Sequence, residues 1–270
     1  MKFSIITINY NNANGLLRTI HSVITQTYRD FEYIVIDGGS SDNSKQIIDQ
    51  FQKKIDYWVS EPDGGIYAAM NKGTNVAKGD YCIYMNSGDV FYSETVLEKV
   101  IKQNLQEDII SGDLAIDDLI LQSPDHVTLK VFYKRSLYHQ ATFIKTSLIK
   151  AHPYDENLKG AADWKFFLET LIFQNATYKH INITIANFER GGYTEQHGNS
   201  RSEVNSELIK LFPQRILDDY YDYCYGSSPY RKMMNQVEII PPIKKIIFNI
   251  NVLILKIINV RLKSKWIKEL

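Results

Sequence analysis

Apolar positions along the first 90 residues follow two alternating rhythms. Residues 3–8 (FSIITI) are continuous, apolar and β-branched, the pattern of a strand buried on both faces. Over 15–26, Leu16, Leu17, Ile20, Val23 and Ile24 recur at helical spacing. A second buried strand, 31–37 (FEYIVID), ends at Gly38-Gly39, and Ser41 or Asp42 can cap a helix reaching about Phe51. Tyr57-Trp58-Val59 predict a short third strand, 65–77 a helix opened by glycine, and 80–86 (DYCIYMN) a fourth strand. Such alternation predicts a parallel, right-handed α/β sheet that binds ligands at the carboxyl ends of its strands. Asn9, Asp37, Asp63 and Asp89 each end or follow a strand.

Beyond residue 108 the pattern is strand-rich and less regular. Strands are expected at 127–133, 142–145 and 177–188, with one clear helix at 161–174. Gly191-Gly192 open a polar stretch to about 202, a helix follows to about 223, and Pro241-Pro242 mark a boundary. No internal repeat or low-complexity tract interrupts this order.

Composition narrows the class. At 270 residues, 44% hydrophobic and 12% aromatic, the chain can build one large packed domain with an appendage. Thirty-one basic residues balance 31 acidic ones, so nothing global favours a nucleic acid. Cys82 and Cys224 match neither metal-ligand spacing nor a disulfide framework; Cys82, in an apolar run, reads as a buried thiol, which suits a reducing cytosol. The amino terminus reads as a strand and not a signal peptide, and no stretch reaches the roughly 18 apolar residues of a spanning helix.

Three carboxylates could carry chemistry. Asp37, at a strand end before two glycines, can accept a hydrogen bond from a base imide while the backbone approaches the ring; the same residues also suit an ordinary capped turn. Asp89, closing Asn86-Ser87-Gly88-Asp89, is a hard oxygen ligand for Mg²⁺ or Mn²⁺ bridging two phosphates, although Asn, Ser and Gly favour turns anyway. Asp163 opens a helix, where it is either a first-turn charge or a general base for an acceptor hydroxyl. Spacing does not choose between these. The remaining histidines, His21, His126, His152 and His180, share no ligand spacing.

Four segments, in order, carry a resemblance. SIITINYNNANGLLRTIHSVITQTYRDFEYIVIDGGSSD, EPDGGIYAAMNKGTNVAKGDYCIYMNSGD, HQATFIKTSLI and YDENLKGAADWKFFLE resemble the family 2 inverting glycosyltransferases of bacterial capsule, exopolysaccharide and O-antigen synthesis, including colanic-acid-type enzymes. The resemblance covers about residues 2–195. It implies a GT-A fold, a Rossmann-like sandwich with a mostly parallel central sheet, and a C-terminal helical extension. The implied catalytic domain is 1–223, with a nucleotide-sugar half at 1–107 and an acceptor half with lid at 108–223, followed by a helical segment at 224–270.

The resemblance also implies roles. Thr7, Asn9 and Tyr10 line a nucleotide pocket, Asp37 binds uracil or another base, and Asp63, Gly64, Asn71 and Lys72 flank the donor. Asn86 and Ser87 accompany Asp89, the metal ligand; His139 and Gln140 sit near sugar and diphosphate; Asp163 is the base of an inverting displacement. The expected co-substrate is a nucleotide-diphosphate sugar, UDP-linked, used with Mn²⁺ or Mg²⁺ to glycosylate a glycan or lipid-linked acceptor. One departure stands out: where the family carries Asp-x-Asp-Asp, Asn86 and Gly88 replace two carboxylates. In the polar, glycine-hinged segment 191–202, a candidate lid, His197 and Arg201 are candidate diphosphate contacts or plain surface residues.

The last 30 residues add a local charge signal. Seven cations stand there against one acid, Glu269. Lys245, Asn249, Lys256, Asn259 and Lys263 share one helical face, opposite Ile246, Ile247, Ile250, Leu253, Ile254 and Ile257. That pattern suits a helix lying at the cytoplasmic face of an inner membrane, packing on its own domain, or joining an oligomer. Two other functions fit the alternating sheet: a nucleotidyltransferase, disfavoured because no Lys or Arg follows the first strand before Arg18, and a non-catalytic scaffold in a polysaccharide assembly complex.

Overall fold

A computed structural model describes residues 2–189 and 200–225. The chain divides into two compact units, residues 1–211 and 212–270. In the first, nine strands form one sheet: β1 Phe3–Asn9, β2 Phe31–Asp37, β3 Tyr57–Ser60, β4 Tyr81–Tyr84, β5 Val90–Phe91, β6 Ile109–Ile116, β7 Leu119–Leu121, β8 Thr142–Lys145 and β9 Tyr178–Asn187. Their order is β3-β2-β1-β4-β8-β6-β9-β5, with β7 hairpinned onto β6.

The amino-terminal side is the parallel sheet the alternation predicts. All seven residues of β1 are buried, because α1 (Ala13–Ile24) covers one face and α3 (Ile66–Val76) the other. Leu16, Ile20 and Val23 of α1 join Phe3, Ile5, Tyr33 and Val35 in one core cluster, each fully buried aliphatic side chain contributing roughly 1.5–3 kcal/mol. On the other face Gly73 lets α3 lie directly on the sheet: a methyl group there would meet Ile6 Cγ2 at 2.5 Å. The parallel register sets Asn9 beside Asp37 and Asp37 beside Ser60, so three polar side chains end three neighbouring strands at one level.

The second half departs from a mostly parallel sheet. Strand β8 enters antiparallel between β4 and β6, and β5 is antiparallel to β9, so the sheet is mixed. Residues 127–133, expected as a strand, instead contain α5, Leu129–Lys134. Tertiary contacts override β-propensity there. The preceding loop is tied down by His180, which bonds Asp113 at 2.8 Å and Asp125 at 2.7 Å, and Phe132 is buried with its carbonyl accepting Trp164 Nε1–H at 3.1 Å. The helix expected at 161–174 is α7, Ala162–Leu168, continued by a wider π turn over Glu169–Phe173.

Two helices, Ser200–Leu211 and Gln214–Tyr225, replace the single one expected to about 223, with Pro213 between them. Cys82 is a buried free thiol, its pKa raised to about 11 by burial. No helix among the described residues is long and apolar enough to cross a membrane. His197, most of the expected lid and the 241–270 segment lie outside the described residues.

Candidate active site

At the carboxyl ends of β1, β2 and β4 the polar residues form one connected network. Asn9 Nδ2 donates to Asp37 Oδ1 at 2.7 Å, and Ser87 Oγ donates to Asn9 Oδ1 at 2.7 Å. Asp37 is fully buried and accepts further bonds from Ser40 N–H (3.0 Å), Ser40 Oγ (2.6 Å) and Ser60 Oγ (2.7 Å). Burial alone would raise its pKa; the bonds from Ser40, Ser60 and Asn9 outweigh that and hold it below the usual value. A base imide can therefore reach Asp37 only by displacing a serine hydroxyl. Gly39, at φ +78°, makes the turn that brings the Ser40 amide onto the carboxylate.

Helix α1 holds the 86–89 loop from below. Asn12 caps the helix by accepting Gly15 N–H at 3.0 Å, and its amide donates to Ser87 O at 3.1 Å. Thr19 Oγ donates to Asp89 O at 2.7 Å while accepting Gly88 N–H at 3.0 Å. Both ends of a short polar loop are thus anchored to a rigid helix.

Asp163 meets this loop through His139. Its Oδ2 lies 3.1 Å from His139 Nδ1, and His139 Nε2 lies 3.2 Å from Asn86 Nδ2. Oδ1 accepts Tyr67 O–H at 3.1 Å and Trp164 N–H at 2.9 Å. The next residue, Gln140, is buried beside the Asp89 carboxylate. One 3₁₀ turn, His139–Ala141, therefore sets one residue against Asp163 and its neighbour near Asp89. The Asp163 side chain keeps 16% of its surface exposed, so an acceptor hydroxyl can reach it.

Asp89 is only 5% exposed. Burial raises its carboxyl pKa to about 7, against the opposing hydrogen bond from the Glu189 N–H. Glu189 ends β9's exit, and its carboxylate lies against Gly88, which at φ +109° leaves that space open; the same carboxylate pairs with Arg18. Among the described residues no group of three or more His, Cys, Asp and Glu side chains could hold a metal. One desolvated carboxylate that gains charge stability from a cation still fits an ion carried in by a diphosphate, since Mg²⁺ is often held by one or two carboxylates plus substrate phosphates.

Other expected contacts are engaged inside the protein. Thr7 is fully buried, bonding Tyr33 O–H at 3.0 Å and Met85 O at 2.8 Å, so it supports the pocket floor and does not line it. Asn71 spends its amide on Tyr154 and Glu156, and Lys72 pairs with Glu61 at 2.8 Å. His139 has both ring nitrogens bonded to protein. Tyr10 is 68% exposed at the rim. Asp63 accepts Gly65 N–H at 2.8 Å and lies over Gly38, where a methyl group would meet its Oδ2 at 2.9 Å, so Asp63 and Gly64 do adjoin the Asp37 loop. Arg201 opens the helix Ser200–Leu211. Tyr67, Arg18 and Glu189 were not legible as site residues, because each reaches the site through a partner distant in sequence.

Carboxylates at the ends of parallel strands, joined to a base-like aspartate across a mixed sheet, define a GT-A fold. Residues 4–117 match the family description "Glycosyl transferase family 2". An uncharacterised glycosyltransferase of Mycobacterium tuberculosis is 36% identical over 179 residues, 63% of this chain and 68% of that protein. A PGL/p-HBAD biosynthesis glycosyltransferase of Mycobacterium bovis is 27% identical over 219 residues, 78% of this chain and 84% of its own length. The chain belongs to glycosyl transferase family 2. In structure it is similar to Staphylococcus aureus TarS residues 1–349 in complex with UDP-GlcNAc (TM-score 0.63, 19% identity, 82% of this chain and 70% of that one). It is also similar to the mannosyltransferase PcManGT of Pyrobaculum calidifontis in complex with GDP-Man and Mn²⁺ (TM-score 0.63, 13% identity, 94% and 80%). It spans 44% of a longer TarS chain.

Proposed function

We propose that this chain transfers a sugar from a nucleoside-diphosphate sugar, UDP-linked, to a hydroxyl of a glycan or lipid-linked acceptor, with inversion. The observation that carries this reading is the hydrogen-bonded bridge from the Asp89 loop through His139 to Asp163. Asp163 Oδ2 accepts one internal bond and so retains a lone pair for the acceptor proton. Tyr67 and the Trp164 amide fix the other oxygen, which orients the carboxylate before substrate arrives. Asp37 recognises the base after Ser40 or Ser60 turns aside. A divalent cation at Asp89, when bound with the donor, would neutralise the charge developing on the departing diphosphate.

A scaffold that binds donor without turnover is the second reading, favoured only by the single carboxylate of the 86–89 loop. Nucleotide sugars with Mn²⁺ or Mg²⁺ should raise the melting temperature, because a ligand of the native state alone stabilises it by about 2.7 kcal/mol at 100 times Kd. The matching donor should also be turned over; binding across a broad panel without turnover would leave the scaffold. The 241–270 segment is proposed to hold the enzyme at an anionic membrane, so its deletion should release protein from liposomes and leave donor binding intact. Unchanged sedimentation would remove the membrane from the account.

A further inference from the structure

The departure at position 86, Asn where the family motif has a carboxylate, has a structural partner in His139. A carboxylate only accepts hydrogen bonds, so the His139 nitrogen facing Asp163, Nδ1, must carry a proton. With Asn86 Nδ2 as the donor at 3.2 Å, His139 Nε2 is the acceptor. The two contacts together define a neutral imidazole in the Nδ1–H tautomer, pointing its proton at Asp163. An aspartate at position 86 could satisfy Nε2 only if that nitrogen also carried a proton, which would make the ring a cation.

We infer that Asn86 is a positioning residue of the catalytic base: it sets the His139 tautomer, and His139 in turn orients Asp163 through Nδ1. This rests on the reading of Asp163 as the base. It assigns position 86 to the acceptor-side chemistry and leaves the metal to Asp89. The geometry supports the division. The Asn86 side chain meets His139 at 3.2 Å, whereas the Asp89 carboxylate accepts the Glu189 N–H at 3.3 Å. A base flanked by an imidazolium would be a weaker proton acceptor, because a nearby opposite charge favours the ionised carboxylate.

The test is Asn86→Asp, a change nearly without volume, in the full-length protein. Nitrogen-15 imidazole NMR of the wild type should show His139 with Nδ1 protonated and Nε2 bare; in Asn86→Asp both nitrogens should be protonated. The variant should lose about 10- to 100-fold in kcat, the size typical of losing a partner that orients a functional group, with the donor KM within about threefold of wild type. His139→Ala should show the same kcat loss, and adding Asn86→Asp to it should cost nothing more, since the two act as one unit.

Tighter Mn²⁺ binding by Asn86→Asp with kcat preserved would place position 86 at the metal and overturn the inference. Additive losses in the double variant, or a wild-type ring protonated at Nε2, would do the same. If Asp163→Asn retains transfer, the base reading fails, while the tautomer measurement still reports on Asn86 by itself.

Discussion

Asp163→Asn is expected to lower turnover by about 10²- to 10⁴-fold while leaving nucleotide-sugar affinity within a few-fold of wild type. The substitution keeps shape and removes the one lone pair placed to take a proton. Asparagine can present its oxygen to Tyr67 O–H and Trp164 N–H, so the fold around α7 should survive. Its amide nitrogen would then face His139 Nδ1, and the ring would have to change tautomer to accept from it. Asp37, Asn9 and Asp89, the proposed donor-side residues, lie on other strands and loops and are untouched. The kinetic signature is a fall in kcat without a rise in donor KM, measured by nucleotide release with acceptor present. A comparable loss of donor affinity would mean that Asp163 serves binding.

Asp89→Asn should abolish metal-supported transfer and at the same time stabilise the metal-free protein above neutral pH. The folded-state pKa of about 7 lies above the 3.8 of an ordinary aspartate, so between these values the folded form holds more protons than the unfolded form. Stability of the metal-free wild type must then fall as pH rises from about 4 to about 7, and above 7 the full penalty applies. A shift of that size corresponds to roughly 4 kcal/mol. Asparagine carries no charge to desolvate, keeps an oxygen for the Glu189 N–H, and allows Gln140 to turn its own amide oxygen toward the new nitrogen. Urea unfolding at pH 5 and pH 8 without metal should therefore show wild type weakening more than Asp89→Asn, with the His180 contribution common to both. Parallel pH dependence in the two proteins would show that Asp89 is not held in a desolvated site.

The parts of this molecule visible in its sequence are those whose physics is local. Strands β1 and β2 are rich in buried apolar residues because both faces are covered, and α1 shows its periodicity because only one face is. The polar residues that end those strands were readable for the same reason: Asn9 and Asp37 follow unbroken apolar runs. What stayed hidden depends on pairing across long separations. Tyr67 and Asp163 are 96 residues apart, and Asp89 and Glu189 are 100 apart, so no local pattern announces either contact. Residues 127–133 misled because β-branched composition says nothing of His180, which ties the preceding loop to the sheet, or of Trp164, which fixes the helix. Thr7, Asn71 and His139 fell in motif positions yet proved committed to internal partners, which only coordinates reveal.

The network also explains why so few charges suffice. Asp37 is held ionised by hydroxyl, amide and backbone donors, and Asp163 is fixed by Tyr67, the Trp164 amide and His139. Such groups are set before substrate arrives, so little reorganisation accompanies the reaction.

The most direct test of the account is the anomeric configuration of the sugar released when the wild-type enzyme slowly hydrolyses its donor, followed by proton NMR before mutarotation. Water taking the acceptor's place at Asp163 must attack opposite the diphosphate, so the first-formed sugar should have the inverted configuration. A first-formed sugar of retained configuration would contradict it.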